Sequence, residues 1–259
     1  MDSVFSRLWH MLIEHVTTFD VALIWHSMPP LLEGMLMTIQ LTAISVPLGL
    51  CLAVPFGIIR ASGNNWASRL VYVYTYVFRG TPLLIQLFLI YYGLAQFQVI
   101  KSSFLWVFLR EGYWCSLIAF VLNTAAYTTE IIRGAIQNVS VGEIEAARAT
   151  GMSRGKMMRR VVLPQAFRIM LPAYSNEVVL MLQATAIASI VTVMDLTGVA
   201  RVIIANSYAP YEIFITIALM YLAMTYGIIW LFNIWERRLM RHLGDRPADI
   251  LKEGALAAR

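Results

Sequence analysis

A single carboxylate in a long apolar run is the residue of this sequence best suited to chemistry. Glu177 is the sole charge among the 26 residues from 169 to 194. It lies about 12 residues beyond Gln165, or ~18 Å along a helix. A carboxylate so deep in hydrocarbon is costly and usually functional. It suits the guanidinium or ammonium of a ligand, an α-amino group included. The alternative is an internal ion pair with Arg79 or Arg133.

A helix-breaking tetrapeptide interrupts another apolar run, residues 70–100. Arg79-Gly80-Thr81-Pro82 brings a charge, a glycine and a proline together. Irregular backbone at membrane depth persists only where protein or a cavity shelters it. The segment therefore predicts either a gate or pathway that uses Arg79 and Thr81, or an interfacial kink with Arg79 reaching to the lipid phosphates. The sequence leaves these two alternatives open.

A polar stripe follows the run that starts at residue 115. Asn123 and Thr129 are candidates for a substrate pathway, although polar residues in spanning helices more often serve helix packing. Glu130 lies near the end of the run, where ion pairing with Arg133 or Arg79 is the expected role.

Five apolar runs are long enough to cross a membrane, which takes about 20 residues. They predict an all-α, polytopic membrane protein with five transmembrane helices. Pro47 and Pro55 should kink the first of them. We expect an interfacial N-terminal segment over 1–28, a transmembrane domain over 29–240 and a tail over 241–259. The predicted spans are residues 35–59, 70–100, 115–132, 169–194 and 213–235, and 195–212 is predicted to be a connection.

The composition excludes a soluble domain, because only 14% of the residues are charged and the mean hydropathy is +0.67. The net charge of +5 is interpreted as anchoring of cytoplasmic loops rather than binding of nucleic acid. Cys51 and Cys115 lack metal-ligand spacing, so no metal site is predicted.

Lysine and arginine also predict the orientation. Sixteen of the twenty fall in the connections after the first and third runs, at the break near residue 79, and beyond the fifth run. Positive charge collects on the cytoplasmic side. The N-terminus is therefore predicted outside and the C-terminus inside, with residues 140–164 in the cytoplasm.

That cytoplasmic insert predicts two short helices joined by a glycine turn. Ser140 and Glu143 have the spacing of a capping box. Gly151 can end the first helix in the left-handed conformation. Ser153 can cap a second helix, which is predicted to end at Leu163-Pro164.

The spacing within the insert resembles the cytoplasmic loop of ATP-binding-cassette import permeases. The pattern Glu-Ala-Ala, three residues, Gly, nine residues, aliphatic, one residue, Leu-Pro is present, with Val161 where the family usually has Ile. The resemblance implies that these residues couple the chain to a cytoplasmic ATPase. The chain has no phosphate-binding loop, so it is not expected to be an enzyme. ATP and Mg would belong to the partner ATPase subunit, with no cofactor in this chain. The implied coupling residues are Glu145, Ala146, Ala147, Gly151, Leu163 and Pro164.

The resemblance extends over about residues 30–240. "FRGTPLLIQLFLIYYG", "LNTAAYTTEIIRGAI" and "LPAYSNEVVLMLQATAIASIVTVMDLTG" are similar to the polar amino-acid branch, particularly to histidine/lysine/arginine/ornithine and arginine/ornithine uptake systems. This implies an importer of cationic amino acids in a bacterial inner membrane. Its implied partners are a homologous second permease subunit, two ATPase subunits, a periplasmic amino-acid-binding protein and the lipid bilayer.

Three alternatives belong to other classes. An ion-coupled secondary transporter would need an ion site and usually an internal repeat. A membrane enzyme would need clustered histidines or paired carboxylates, and a channel would need a charged ring or a filter sequence. None of these features is evident in the sequence. An importer of the same type that is specific for an opine-like conjugate remains open.

Overall fold

The computed structural model describes residues 20–63 and 65–240, and this part of the chain is helical without a strand. Eleven α-helices are joined by short π and 3₁₀ turns. Of the interfacial N-terminal segment predicted over 1–28, residues 1–19 are outside the described residues, as is the tail 241–259, and residues 21–28 belong to the first helix. The helices are α1 Val21–Ala61, α2 Trp66–Gly80, α3 Leu83–Phe88, α4 Gln98–Lys101, α5 Trp106–Leu109, α6 Gly112–Gln137, α7 Val141–Ala149, α8 Arg154–Met157, α9 Leu163–Ala184, α10 Leu196–Ser207 and α11 Pro210–Met240.

Four helical segments of the described residues are long and apolar enough to cross a membrane. A fifth span is possible if α2 and the helical stretch Leu83–Gln96 are one span bent by 105°. The bend lies at the predicted break. The first helix starts earlier than the first apolar run, because Asp20 caps it by accepting a hydrogen bond from the Leu23 N–H at 2.9 Å. It then runs unbroken through Pro47 and Pro55.

Small residues bring α1 against α6. Ser45, Gly49, Ala53 and Gly57 recur every four residues on α1, and all are buried. A Cβ on Gly49 would lie 2.3 Å from the Thr124 γ-methyl group, so the two helices are too close for any larger residue there. Because lipid tails are as apolar as the side chains, the hydrophobic effect does not drive helices together within a membrane. A stripe of small residues lets them associate instead through close van der Waals contact.

The segment predicted as a connection between spans contains a helix, α10, that the sequence interpretation did not assign. Asp195 caps it by accepting from the backbone N–H groups of Thr197 and Gly198 at 3.3 and 2.9 Å. Leu196 and Ala200 are fully buried in a cluster with residues of α1 and α11. The helix has 12 residues, too few for a span, and tertiary packing rather than length stabilises it.

The second helix of the insert does not end at Leu163-Pro164, contrary to the prediction. Residues Met158–Val162 form a π turn, in which the Leu163 N–H bonds to the Met158 carbonyl. A π turn is wider than an α turn, and this one lies just before Pro164, whose ring would clash in a regular helix. The chain therefore runs as one helical unit from Arg154 to Val191.

Candidate functional site

Side chains cap the broken end of α2. The last carbonyls of a helix have no partner within it and must find one elsewhere. The Thr81 hydroxyl donates to the Val77 carbonyl at 2.8 Å. The amide nitrogen of Gln86 lies 2.7 Å from the Phe78 carbonyl, and 3.0 and 2.9 Å from the carbonyl and hydroxyl oxygens of Thr81. Side chains thus bond to the Val77 and Phe78 carbonyls at the end of α2 and to the Thr81 carbonyl at the break.

Helix α6 holds the same break from the other side. Asn123 donates to the side-chain oxygen of Gln86 at 3.1 Å. The Tyr127 hydroxyl donates to the Arg79 carbonyl at 3.3 Å, and the Arg79 guanidinium lies 5.3 Å from the centre of the Tyr127 ring. Sequence reasoning missed Gln86, although a lone amide four residues after Pro82 in an apolar run was a usable signal.

The Glu177 carboxylate is buried, with 6% of the residue exposed. It accepts a hydrogen bond from the Thr124 hydroxyl at 3.1 Å. The alternative of an internal ion pair is not found, because both ion pairs in the described part of the chain use Glu130 instead. Since Thr124 also packs against Gly49, three helices meet at the support of this carboxylate.

A cavity of about 420 Å³ opens at the break. Four of the predicted pathway residues line it together. Thr129 does not line it: its hydroxyl donates to the Ala125 carbonyl at 2.6 Å, and its side chain is fully buried. The reason is helical geometry, because Thr129 lies six residues after Asn123 and so on another face of α6. The lining residues are Arg79, Gly80, Thr81, Pro82, Leu83, Asn123, Tyr127, Glu177, Leu180, Met181, Ala184 and Ile187.

Glu130 of α6 does not line this cavity, and its carboxylate bonds to side chains of α1, α2 and α6. One carboxylate oxygen lies 2.6 Å from Arg133 Nε, as predicted. The other lies 3.0 Å from Arg60 Nε and accepts from the Thr75 hydroxyl at 3.1 Å. The Arg60 contact was not predicted, because the two residues are 70 positions apart in the sequence.

The glycine turn of the insert has the predicted form. Gly151 adopts φ +74°, and its N–H bonds to the Arg148 carbonyl at 2.9 Å. The next N–H, of Met152, bonds back to the Ala147 carbonyl at 3.2 Å, which completes a Schellman motif. The predicted capping box is absent, because Ser140 caps α7 by position without a side-chain hydrogen bond.

The candidate coupling residues divide into an outer and an inner group. Glu145 and Ala146 are exposed on α7, and Pro164 is exposed at the start of α9. Ala147 is buried in a cluster that includes Met157, so within this subunit it packs α7 against its own bundle. Leu163 is half-buried against the same cluster.

Comparison with known proteins identifies the family. Residues 53–241 match the family described as binding-protein-dependent transport system inner membrane component. The chain belongs to this family. Its members are membrane subunits of transporters rather than enzymes, and the inner membrane is their location. This confirms the resemblance that the insert suggested.

Two curated relatives match most of the permease. The octopine transport system permease protein of Rhizobium radiobacter is 44% identical over 93% of this chain and 99% of its own length. The histidine/lysine/arginine/ornithine transport system permease protein of Escherichia coli (strain K12) is 46% identical over 81% of this chain and 89% of its own length. A crystal structure of an amino acid ABC transporter with histidines has a TM-score of 0.76 and 35% identity, and the match covers 85% of this permease and 99% of that chain.

Proposed function

We propose that this permease carries cationic amino acids through the cavity at the α2–α3 break, in an ATP-driven importer. One observation supports the proposal most: a carboxylate, Glu177, and a guanidinium, Arg79, line the same small cavity. A zwitterionic amino acid needs both charges matched. Glu177 can bind an ammonium or guanidinium group, and Arg79 can bind the α-carboxylate.

The size and polarity of the cavity suit such a ligand. Small-molecule sites usually enclose about 300–1,000 Å³ of mostly apolar space with a few placed polar groups. Here the volume is about 420 Å³, and Asn123 and Thr81 add neutral hydrogen-bonding groups beside the two charges. Met181 and Leu180 can cover the aliphatic part of a long side chain.

The relatives narrow the substrate class. One is named for histidine, lysine, arginine and ornithine, and another for octopine. We infer a free cationic amino acid as the first candidate, because the relative named for these amino acids has the higher identity, 46% against 44%. An opine is the second, because the octopine relative matches a larger share of this chain.

The coupling partners follow from the exposed insert. We propose that Glu145 and Ala146 on α7 dock into a cytoplasmic ATPase subunit, which binds ATP and Mg, and that a second permease subunit and a binding protein complete the importer. Five spans would place the N-terminus outside. Clustering of Arg60 and Arg133 at one end of the bundle, the end to which α7 is attached, supports this orientation.

The cavity assignment is tested with Glu177→Gln in the assembled complex. Gln keeps the volume and can still accept the Thr124 hydrogen bond, so the helices should stay in place. Loss of the charge-assisted bond should weaken equilibrium binding of arginine by ~1.5–3 kcal/mol, roughly ten- to a hundredfold. Direct binding to the solubilised complex without the binding protein isolates the contribution of the permease.

Citrulline, which has the shape of arginine without its side-chain charge, separates two modes of binding. If Glu177 contacts the side chain, only arginine binding falls in the variant, whereas both ligands weaken if it contacts the α-ammonium. Glu212→Gln, on a partly exposed residue at the start of α11 that does not line the cavity, is the control. Unchanged arginine binding by a fully assembled Glu177→Gln complex would contradict the proposal.

A further inference from the structure

A second polar cavity, of about 400 Å³, lies where α1, α2 and α6 meet near the Glu130 cluster. It is distinct from the cavity of the α2–α3 break and shares none of its lining residues. Among the described residues, two of the three arginines that line it, Arg60 and Arg133, share one carboxylate, that of Glu130, so this pair leaves net positive charge at the cavity. The lining residues are Arg60, Gly63, Ser68, Arg69, Tyr72, Arg133 and Gln137.

Two of these arginines are held rigidly. Arg60 is bound to Glu130 through Nε at 3.0 Å, to the Ser68 hydroxyl through Nη1 at 3.4 Å, and stacks 4.8 Å from the centre of the Tyr72 ring. Arg133 is bound to Glu130 through Nε and to the Gln137 side chain through Nη1 at 2.8 Å. Guanidinium groups that are fixed in this way lose little entropy when they bind a phosphate.

An apolar surface continues from the cavity along α2. Leu70, Tyr72, Val73 and Tyr76 are each about half exposed or more. Tyr72 belongs to both features, because it stacks on Arg60 and on Tyr76, whose ring centre is 5.8 Å away. The positive cavity and the apolar surface are therefore contiguous, which matches a head group and the acyl chain attached to it.

We propose that the cavity binds the phosphate group of an anionic phospholipid, with the acyl chain along the exposed face of α2. The arginine-rich end of the bundle is the predicted cytoplasmic end, where basic pockets between spans meet anionic head groups. A free phosphate ion would satisfy the same arginines but would leave the apolar surface unused.

Gln137→Glu tests the site without unpairing any buried charge. The new carboxylate keeps the size of the side chain and its contact with Arg133, and it neutralises part of the cavity. Arg238→Gln makes the same change in net charge on an exposed residue outside the cavity. Native mass spectrometry of the assembled complex counts the phosphatidylglycerol molecules retained during titration, and phosphatidylcholine with identical chains measures binding without net charge.

We expect the Gln137→Glu complex to bind phosphatidylglycerol roughly fivefold more weakly, as for loss of one basic contact near a membrane surface. The Arg238→Gln complex should bind phosphatidylglycerol as tightly as wild type does. Both variants should bind phosphatidylcholine as wild type does. Displacement of the lipid by inorganic phosphate would support the same phosphate site and show that free phosphate also enters it. Equal weakening by both variants, or no weakening by Gln137→Glu, would overturn the proposal.

Discussion

Replacement of Gly49 by alanine should disturb the cavity from behind, although Gly49 does not line it. A Cβ at this position would lie 2.3 Å from the Thr124 γ-methyl group and 3.3 Å from the Ala125 backbone nitrogen. Carbon atoms pack at about 3.5–4.0 Å. Either α1 and α6 must separate by roughly 1 Å, or Thr124 must rotate and give up its hydrogen bond to Glu177.

The two effects have separate magnitudes. Overpacking of a close helix contact costs about 1–3 kcal/mol of stability. Loss of a hydrogen bond to a charged group costs about 1.5–3 kcal/mol. If the carboxylate of Glu177 binds substrate, its displacement should weaken substrate binding by up to roughly tenfold, each tenfold step being about 1.4 kcal/mol.

Gly57→Ala provides the matched control. Its new Cβ would meet the Ile132 side chain at 2.5 Å in the same contact between α1 and α6. The side chain of Ile132 is apolar, and the hydroxyl that bonds to Glu177 belongs to Thr124 instead. Both variants should lower the melting temperature of the purified complex. Only Gly49→Ala should weaken equilibrium binding of arginine.

Thr124→Ser gives a rescue. Serine removes the γ-methyl group that clashes but keeps the hydroxyl that bonds to Glu177. Gly49→Ala combined with Thr124→Ser should therefore regain most of the arginine affinity. Equal affinities for the Gly49→Ala and Gly57→Ala complexes, or no recovery in the double variant, would refute the link between this helix contact and the site.

Three further predictions concern coupling and stability. Gly151→Val forces a β-branched residue into φ +74°, at a cost of about 1–2 kcal/mol, and should uncouple ATP hydrolysis from uptake without impairing membrane insertion. Gly155→Val, in a helical position with open space around it, is the control and should have a much smaller effect on coupling. Equal effects of the two variants would contradict the role of the turn. Glu130→Gln leaves the guanidinium groups of Arg60 and Arg133 without their carboxylate and should destabilise the subunit by about 3 kcal/mol. The melting temperature should fall by several degrees. An unchanged melting temperature would show that the cluster does not stabilise the fold. Gln86→Leu removes the shorter hydrogen bond to the Phe78 carbonyl, which keeps only the 3.4 Å bond from Asn123, and it also removes the Gln86 oxygen that Asn123 donates to. It should destabilise the subunit by about 1 kcal/mol or more in a thermal melt, whereas Gln98→Leu, on an exposed residue, should melt like wild type. Similar losses for both variants would argue against the capping role.

The sequence was sufficient for features that depend on local chemistry. Long apolar runs predicted the spanning helices, because transfer into hydrocarbon depends on composition over about 20 residues. The break at residues 79–82 followed from a proline two residues after a glycine. The turn at Gly151 followed from the need for a positive φ, which the structure shows as +74°.

Local patterns failed where packing outweighed them. The sequence assigned residues 195–212 to a connection without a helix of its own, yet burial of Leu196 and Ala200 stabilises a helix there. Pro164 was expected to end a helix, but a π turn just before it lets the helix continue.

Only the tertiary structure decided which polar residues share a site. Arg79, Asn123 and Glu177 come from three separate helices, and no periodicity within one helix could show that they line one cavity. The same holds for Thr124, whose hydroxyl orients the carboxylate while its methyl group packs on Gly49. Sequence patterns report which face of a helix is polar, but the partner of that face depends on how closely the helices approach. Here the small residues of α1 determine that approach.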